Sequence, residues 1–246
     1  MVIIGIDCAT KEGKTGLALG SVRNKQVLIK EVTTGSKVKT SVDTVSKWLS
    51  ENQPALLAFD APLGWPMELS RQLMGHVAGQ SLRQDPKFLF SRETDRFVQG
   101  TLNKKPLEVG ANYIARTAHS ALKLLNDLRQ QTGLTIPLAW EMGKIEDTCA
   151  IEVYPAGTLK AKGLESPKKD DKFAKSKRVQ LLKRLHIDIG LPDSEEVIEN
   201  SNAFDAIICV LAAWDFLLGK CIPIPAHKIE QARKEGWIWV TRSDVD

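Results

Sequence analysis

The chain has 246 residues, of which 43% are hydrophobic and 26% are charged, and its formal net charge is +4. This composition is typical of a globular protein with a substantial core, and the mild positive charge permits an anionic partner without requiring one. No apolar run is long enough to span a bilayer, and the start of the chain lacks a basic leader, so we predict neither a membrane helix nor a signal peptide. The four cysteines are far apart in apolar contexts, which predicts reduced, buried thiols and a cytoplasmic location.

The first quarter of the chain predicts a meander followed by a helix and another strand. Short links that carry Gly or Asn favour antiparallel pairing of three apolar runs, at residues 2–8, 14–20 and 26–33. Apolar residues recur at a helical period in residues 41–51, which predicts a helix. Residues 55–60 form a fourth predicted strand, which Pro62 and Gly64 end.

The rest of the chain predicts helices around a fifth strand at residues 149–154. The helices are expected at residues 109–132, 172–186 and 203–218, and Gly133 is a suitable stop for the first of them. Residues 75–108 lack sustained periodicity, so we interpret them as a long surface excursion. The order of elements predicts one mixed α/β domain over residues 1–246.

Four acidic residues far apart in the chain each lie at the edge of an apolar run: Asp7, Asp60, Glu152 and Asp205. An apolar strand carries its last residue to the rim of a sheet, where a carboxylate is costly to desolvate unless a positive group meets it. Several carboxylates brought together would repel one another unless a divalent cation neutralised them. Because hard cations prefer oxygen ligands, the pattern favours a Mg²⁺ or Mn²⁺ site for phosphoryl transfer.

A series of short motifs resembles the family catalogued as domain of unknown function 429. The matching pieces are Gly5-Ile6-Asp7, Asp60-Ala61-Pro62-Leu63-Gly64, Arg92-Glu93-Thr94-Asp95-Arg96, Glu152-Val153-Tyr154-Pro155, Asp205-Ala206 followed by Ala212-Ala213, and Glu235-Gly236-Trp237-Ile238. The resemblance implies an RNase H-like fold, a mixed five-stranded sheet flanked by helices, and a predicted nuclease activity. It also implies one acid on the first strand, one at the end of the fourth and one on a late helix.

Asp7, Asp60 and Asp205 match that placement, whereas an acid on the fifth strand, Glu152, departs from it. Two cations held by these carboxylates would clamp the attacking and leaving oxygens of a phosphodiester. In this hypothesis Glu152 either holds a metal or orients the attacking water as a general base.

Each acid also has an ordinary structural explanation. Asp7 could cap a turn at the end of its strand, and Asp60 could form an Asx turn. Asn202 is a good N-cap, which would put Asp205 at the third helical position, where exposed amides stabilise a carboxylate without a metal. Glu152 could be an ion-pair partner at a sheet edge.

Basic residues suggest where an anionic substrate would bind. Arg92 and Arg96, with Asp95 between them, are candidates because a guanidinium fits phosphate oxygens, although a local pair on a helix surface explains them equally well. The basic run from Lys160 to Arg184 includes Lys175 and Arg178, and it could follow a nucleic-acid backbone or form a solvated helix.

Three classes of function remain open from the sequence. The first is a metal-dependent nuclease or junction-type resolvase acting on DNA or RNA, and a resolvase would suggest a homodimer. The second is a nucleotide-binding or phosphotransfer protein of the actin and sugar kinase type, although such proteins normally need two domains with ATP between them. The third is an interaction protein that keeps the fold without catalysis.

Overall fold

A mixed β-sheet forms the centre of the molecule. The computed structural model describes residues 1–23, 26–167, 172–185, 189–190, 197 and 199–243. Its strands are β1 (Val2–Asp7), β2 (Gly16–Arg23), β3 (Gln26–Thr34), β4 (Ala55–Asp60), β5 (Cys149–Glu152) and β6 (Ile189–Gly190). Their order across the sheet is β5-β4-β1-β2-β3-β6.

The pairing of the first five strands confirms the RNase H-like sheet. β1, β2 and β3 form an antiparallel meander, and β4 lies parallel to β1 on its other side. β5 continues the sheet parallel to β4. The two-residue strand β6, parallel to β3, was not predicted.

Helices cover both faces of this sheet. Their bounds are α1 (Ser41–Glu51), α2 (Met67–Leu73), α3 (Pro86–Phe90), α4 (Glu93–Leu102), α5 (Ile114–Thr132), α6 (Pro155–Ala161), α7 (Ala174–Leu185), α8 (Ser201–Leu217) and α9 (Ile229–Glu235). Helix α1 and strand β4 have the predicted bounds, and α5 ends at Gly133, which adopts a left-handed conformation. The predicted helix 172–186 corresponds to α7, with residue 186 outside the described residues.

Helix α5 begins five residues later than predicted, at Ile114 instead of residue 109. The amide of Gly110 donates to the carbonyl of Phe90, so this backbone packs on the end of α3. A Cβ at residue 110 would lie 2.9 Å from the Phe90 Cα, which makes glycine the fitting residue there. A tertiary contact therefore overrides the helical pattern of the sequence at this end.

The two faces of the sheet build separate cores. Side chains alternate along each strand, so one face carries Ile3 and Leu56, which pack with α8. The other face carries Ile4 and Phe59, which pack with α1 and α5. Helix α8 is apolar nearly all round and is buried along most of its length, as expected for a helix enclosed by other elements.

The segment predicted as a surface excursion is only partly on the surface. Residues 75–87 are mostly exposed, but α3 and α4 follow and turn apolar residues inward. Thr94, Val98 and Leu102 recur every four residues and are buried, a helical pattern that the sequence interpretation missed.

The four cysteines are buried and unpaired, which confirms the predicted thiols. Among the described residues, none of the helices combines the length and the apolar character needed to cross a bilayer.

Candidate active site

Two of the predicted acids meet at one edge of the sheet. Asp7 and Asp60 are the last residues of β1 and β4, and they are direct partners in the parallel register of these strands. Neighbouring strands lie about 4.8 Å apart, and register partners project to the same face. That face is the one that α8 covers, because residues two and four positions earlier pack with this helix.

The third acid comes from α8, which approaches β1 closely. Gly5 makes this approach possible, since a Cβ there would overlap the carbonyl oxygen of Ala206. Asp205 precedes Ala206 and lines the same cavity as Asp7 and Asp60. The cavity has a volume of about 440 Å³.

The start of α8 corrects the capping explanation for Asp205. The N-cap is Asn200, whose side chain accepts hydrogen bonds from the amides of Asn202 and Ala203 at 2.9 and 3.4 Å. The prediction of Asn202 as N-cap was wrong. Asp205 is consequently the fifth helical residue instead of the third, beyond the reach of the unpaired amides of the first turn.

We expect Asn200→Ala to lower the free energy of unfolding by about 1 kcal/mol, because two helix amides lose their acceptor. Asn202→Ala is the matched control and should change it by less than about 0.5 kcal/mol. Urea denaturation of both variants checks this. Equal losses, or a larger loss in Asn202→Ala, would contradict the assignment of Asn200 as the cap.

The electrostatics of a buried thiol show that the three carboxylates share one neighbourhood. Burial raises the pKa of Cys209 well above its usual value, and the charges of Asp60, Asp7 and Asp205 raise it further. Burial together with Asp60 raises the pKa of Tyr154, which lines the cavity, to about 12. The pocket is therefore a region of negative potential that disfavours further anions.

Glu152 also lines the cavity, but its carboxylate is engaged by Arg92. The guanidinium donates from Nη2 to Oε1 at 2.7 Å and from Nη1 to Oε2 at 2.9 Å, and the Leu63 amide donates to Oε2 at 3.0 Å. Burial raises the pKa of Glu152, whereas Arg92 and the Leu63 amide oppose that shift. The predicted alternative of an ion pair matches this geometry, and the partner is 60 residues away in the chain.

All five N–H donors of Arg92 have acceptors within the protein. Besides Glu152, the guanidinium donates to both carboxylate oxygens of Asp95 and to the carbonyl of Glu235. The Arg92 side chain is 1% exposed, and the local pair with Asp95 is buried instead of lying on a helix surface. Burial by itself would lower the pKa of Arg92, but the two carboxylates raise it, so the guanidinium stays charged. Arg92 and Asp95, both predicted to bind substrate, thus direct their polar atoms at protein groups.

A buried acid to which the sequence interpretation gave no role of its own completes this network. Glu235, at the end of α9, accepts hydrogen bonds from the amides of Met67 and Glu93 at 2.8 and 2.6 Å. Gly236 has a φ of +83°, and a Cβ there would lie 2.9 Å from the Glu152 carboxylate. The glycine that follows Glu235 is the signal in the sequence, since a left-handed residue beside an acid marks a close backbone approach.

The other predicted substrate-binding residues lie outside the cavity. Arg96 donates to the carbonyls of Ser91 and Lys87 and pairs with Glu93. Lys175 pairs with Glu199 at the surface, and Arg178 is buried and donates to the Glu199 carbonyl.

Among the described residues of the basic run, the side chains at its start are engaged by protein groups. Lys162 pairs with buried Asp215, and Lys160 donates to the carbonyl of Asn103. Lys168 and Lys169 fall outside the described residues.

No set of three or more His, Cys, Asp and Glu side chains among the described residues is close enough together to hold a metal ion alone. Asp7 and Asp60, which are register partners, are therefore the core of the candidate site, with Asp205 on the facing helix.

Comparison with known families matches residues 5–230 to the model of "Protein of unknown function (DUF429)". The chain belongs to this family. The matched range of the DUF429 model includes Asp7, Asp60, Glu152 and Asp205, and it ends before the Glu235-Gly236 motif.

This DUF429 member is similar to the "Thermus thermophilus RuvC structure", with 12% identity, a TM-score of 0.40 and coverage of 91% of this chain and 100% of that chain. It is also similar to "T. thermophilus RuvC in complex with Holliday junction substrate", with 16% identity, a TM-score of 0.40 and coverage of 91% and 99%. Curated proteins give no match.

Proposed function

We propose that this protein is a divalent-metal-dependent nuclease that hydrolyses phosphodiester bonds of DNA or RNA. The observation that carries the proposal is the convergence of Asp7, Asp60 and Asp205 on one cavity, with the first two in register on adjacent parallel strands. Carboxylates this close repel one another, and a divalent cation relieves the repulsion while gaining oxygen ligands.

The donor set fits Mg²⁺ or Mn²⁺. These cations are usually held by one or two carboxylates, several waters and the phosphate of the substrate, so a closed cage of three side chains is not needed. Asp7 and Asp60 would hold the cation from the sheet, and Asp205 would face it from α8. When bound, the metal supplies an activated water and neutralises charge on the phosphate.

In this proposal Glu152 acts as a positioning residue. It accepts the Leu63 amide, three residues after Asp60, and is itself clamped by Arg92. The turn that follows β4 is thereby tied to β5 and to the start of α4. In this proposal these contacts hold the Asp60 carboxylate in place. Such support matters because catalytic groups must be held to within about 0.5 Å of their productive positions.

The partner in this proposal is nucleic acid, either DNA or RNA. The homodimer expected of a resolvase stays a prediction that sedimentation velocity can check. Tight ATP binding would favour the phosphotransfer alternative instead.

We expect wild-type protein to cleave a pool of DNA and RNA substrates in Mn²⁺, and Asp7→Asn to lower the rate at least about a hundredfold. Saturating Mn²⁺ should also stabilise the wild-type protein, by about 2.7 kcal/mol at a hundred times the dissociation constant. Asp7→Asn should lose most of that stabilisation, because one of the two register-paired ligands is gone. Gel assays and thermal denaturation with and without EDTA measure both effects.

Asp127→Asn is the matched control for this experiment. Asp127 is an acid on α5 that pairs with Lys123 and does not line the cavity, so its removal should leave cleavage and Mn²⁺ stabilisation unchanged. Cleavage that Asp7→Asn does not affect would refute the assignment of the site. Equal Mn²⁺ stabilisation of wild type and Asp7→Asn would remove the metal from the proposal.

A further inference from the structure

An exposed aromatic residue adjoins, in the chain, a residue that lines the acidic cavity. Tyr113 is 86% exposed, and it directly precedes Ile114, which lines the cavity. Leu107, another lining residue, is 62% exposed. Large apolar surface left in water beside a pocket commonly marks a place where a ligand or partner binds.

A positively charged side chain lies near this aromatic ring. The Arg116 guanidinium lies 5.8 Å from the centroid of the Tyr113 ring, one helical turn further along α5. Within the described part of the chain, no carboxylate forms an ion pair with Arg116 or with Lys104, which lies two residues before the lining residue Pro106, whereas Lys105 between them pairs with Glu108.

Some basic residues elsewhere on the surface are neutralised by a neighbour. Arg96, Lys123 and Lys175 each pair with an acid. Arg116 and Lys104 therefore offer positive charge close in the chain to the lining residues Ile114 and Pro106, and an anionic ligand complements it.

We propose that Tyr113 and Arg116 form a stacking platform for an unpaired base of a nucleic-acid strand whose phosphate lies at the acidic cavity. The inference rests on the proposed function, because it names the form of nucleic acid that the site takes. An aromatic ring stacks on any base, and an arginine adds a cation–π contact and a phosphate contact. Bases inside a duplex are already stacked on their neighbours, so this platform selects single-stranded or locally opened substrate.

The geometry gives each side chain a separate task. The Tyr113 ring supplies a flat apolar face, and Leu107 supplies apolar surface that also borders the cavity. Arg116 supplies the charge that attracts the backbone next to the stacked base. The carboxylates of the cavity would hold a metal ion for the neighbouring phosphate, so that binding and cleavage would act on adjacent units of one strand.

Fluorescence anisotropy tests the platform separately from cleavage. A labelled single-stranded thymidine oligomer and a duplex of the same length are titrated with Asp60→Asn protein, which prevents turnover, in the presence of Mg²⁺. We expect Tyr113→Ala to weaken binding of the single strand by about five- to 150-fold and to change duplex binding little. Tyr113→Phe and Tyr113→Trp should retain the affinity, since both keep an aromatic face.

Arg116→Ala should weaken single-strand binding. It should also make the slope of log affinity against log salt concentration shallower by about one, the value for one lost phosphate contact. The matched control is Phe173→Ala. Phe173 is also exposed, with the Lys172 ammonium 4.9 Å from the centroid of its ring, but it does not line the cavity.

The outcomes separate this inference from the proposed function. Unchanged single-strand affinity in Tyr113→Ala, or a loss in Phe173→Ala alone, overturns the platform, even when wild-type protein cleaves nucleic acid. Tyr113-dependent binding without any cleavage supports the platform and counts against the nuclease. Absence of nucleic-acid binding in every form overturns both.

Discussion

We expect Arg92→Leu to lower the free energy of unfolding by about 3 to 5 kcal/mol, because it leaves two carboxylates buried without their counter-charge. Glu152 and Asp95 are both almost fully buried, and each accepts two hydrogen bonds from the Arg92 guanidinium. The Glu235 carbonyl also loses its donor. Urea denaturation at neutral pH measures the loss.

Arg92→Lys should recover little of this stability. An ammonium has three donors on a single atom and cannot form paired contacts to two carboxylates and a carbonyl at once. The triple variant Arg92→Leu, Glu152→Gln, Asp95→Asn should recover part of the loss, since the buried charges are then gone.

The control for the arginine is the exposed pair between Lys123 and Asp127. Lys123→Ala should change the free energy of unfolding by less than about 1 kcal/mol, because exposed ion pairs contribute little. If Arg92→Leu were as mild as Lys123→Ala, the network would not hold these segments together. The proposed positioning role of Glu152 would then lose its basis.

The second large effect is expected from Gly5→Ala, which should lower the free energy of unfolding by about 3 kcal/mol. A methyl group on residue 5 would overlap the Ala206 carbonyl oxygen and lie 2.9 Å from a methyl of Val210, so α8 must move away from β1. Asp205 moves with the helix, away from Asp7. We therefore expect Gly5→Ala to lose both stability and Mn²⁺ stabilisation.

Gly100→Ala is the matched control, because it adds the same methyl group in a helix with no atom within 4 Å. It should stabilise the protein by about 0.5 to 1 kcal/mol through the higher helix propensity of alanine. Thermal denaturation with and without Mn²⁺ compares the two variants. A Gly5→Ala protein with wild-type stability and metal response would show that the close approach of α8 does not place Asp205.

Local periodicity was enough to predict most elements of this fold. The helix 41–51 and the strand 55–60 have the predicted bounds, because a capping box at Thr40 and turn residues after Asp60 mark their ends in the sequence. The start of α8 was harder, since Asn200 and Asn202 are equally good caps by type. In the structure the cap is Asn200, and the helix backbone at Asn202 packs against Gly16.

In the candidate site, too, some residues could be predicted from the sequence and others could not. Asp7 and Asp60 were predicted from their positions at strand ends, and the parallel register of β1 and β4 brings them together. The sequence could not show that Arg92 and Glu152 are partners, because 60 residues separate them and each has plausible local neighbours. The role of Glu235 was equally hidden, because its donors are amides of distant segments.

By itself, the sequence determined the strands, the main helices and the acids at the strand ends, because these depend on spacing along a few residues. Only the tertiary structure decided which charges face the cavity and which neutralise one another inside the protein. The physical reason is that a buried charge is costly unless an opposite charge or a hydrogen-bond partner lies beside it. Which group lies beside it is set by the packing of the elements and not by separation along the chain.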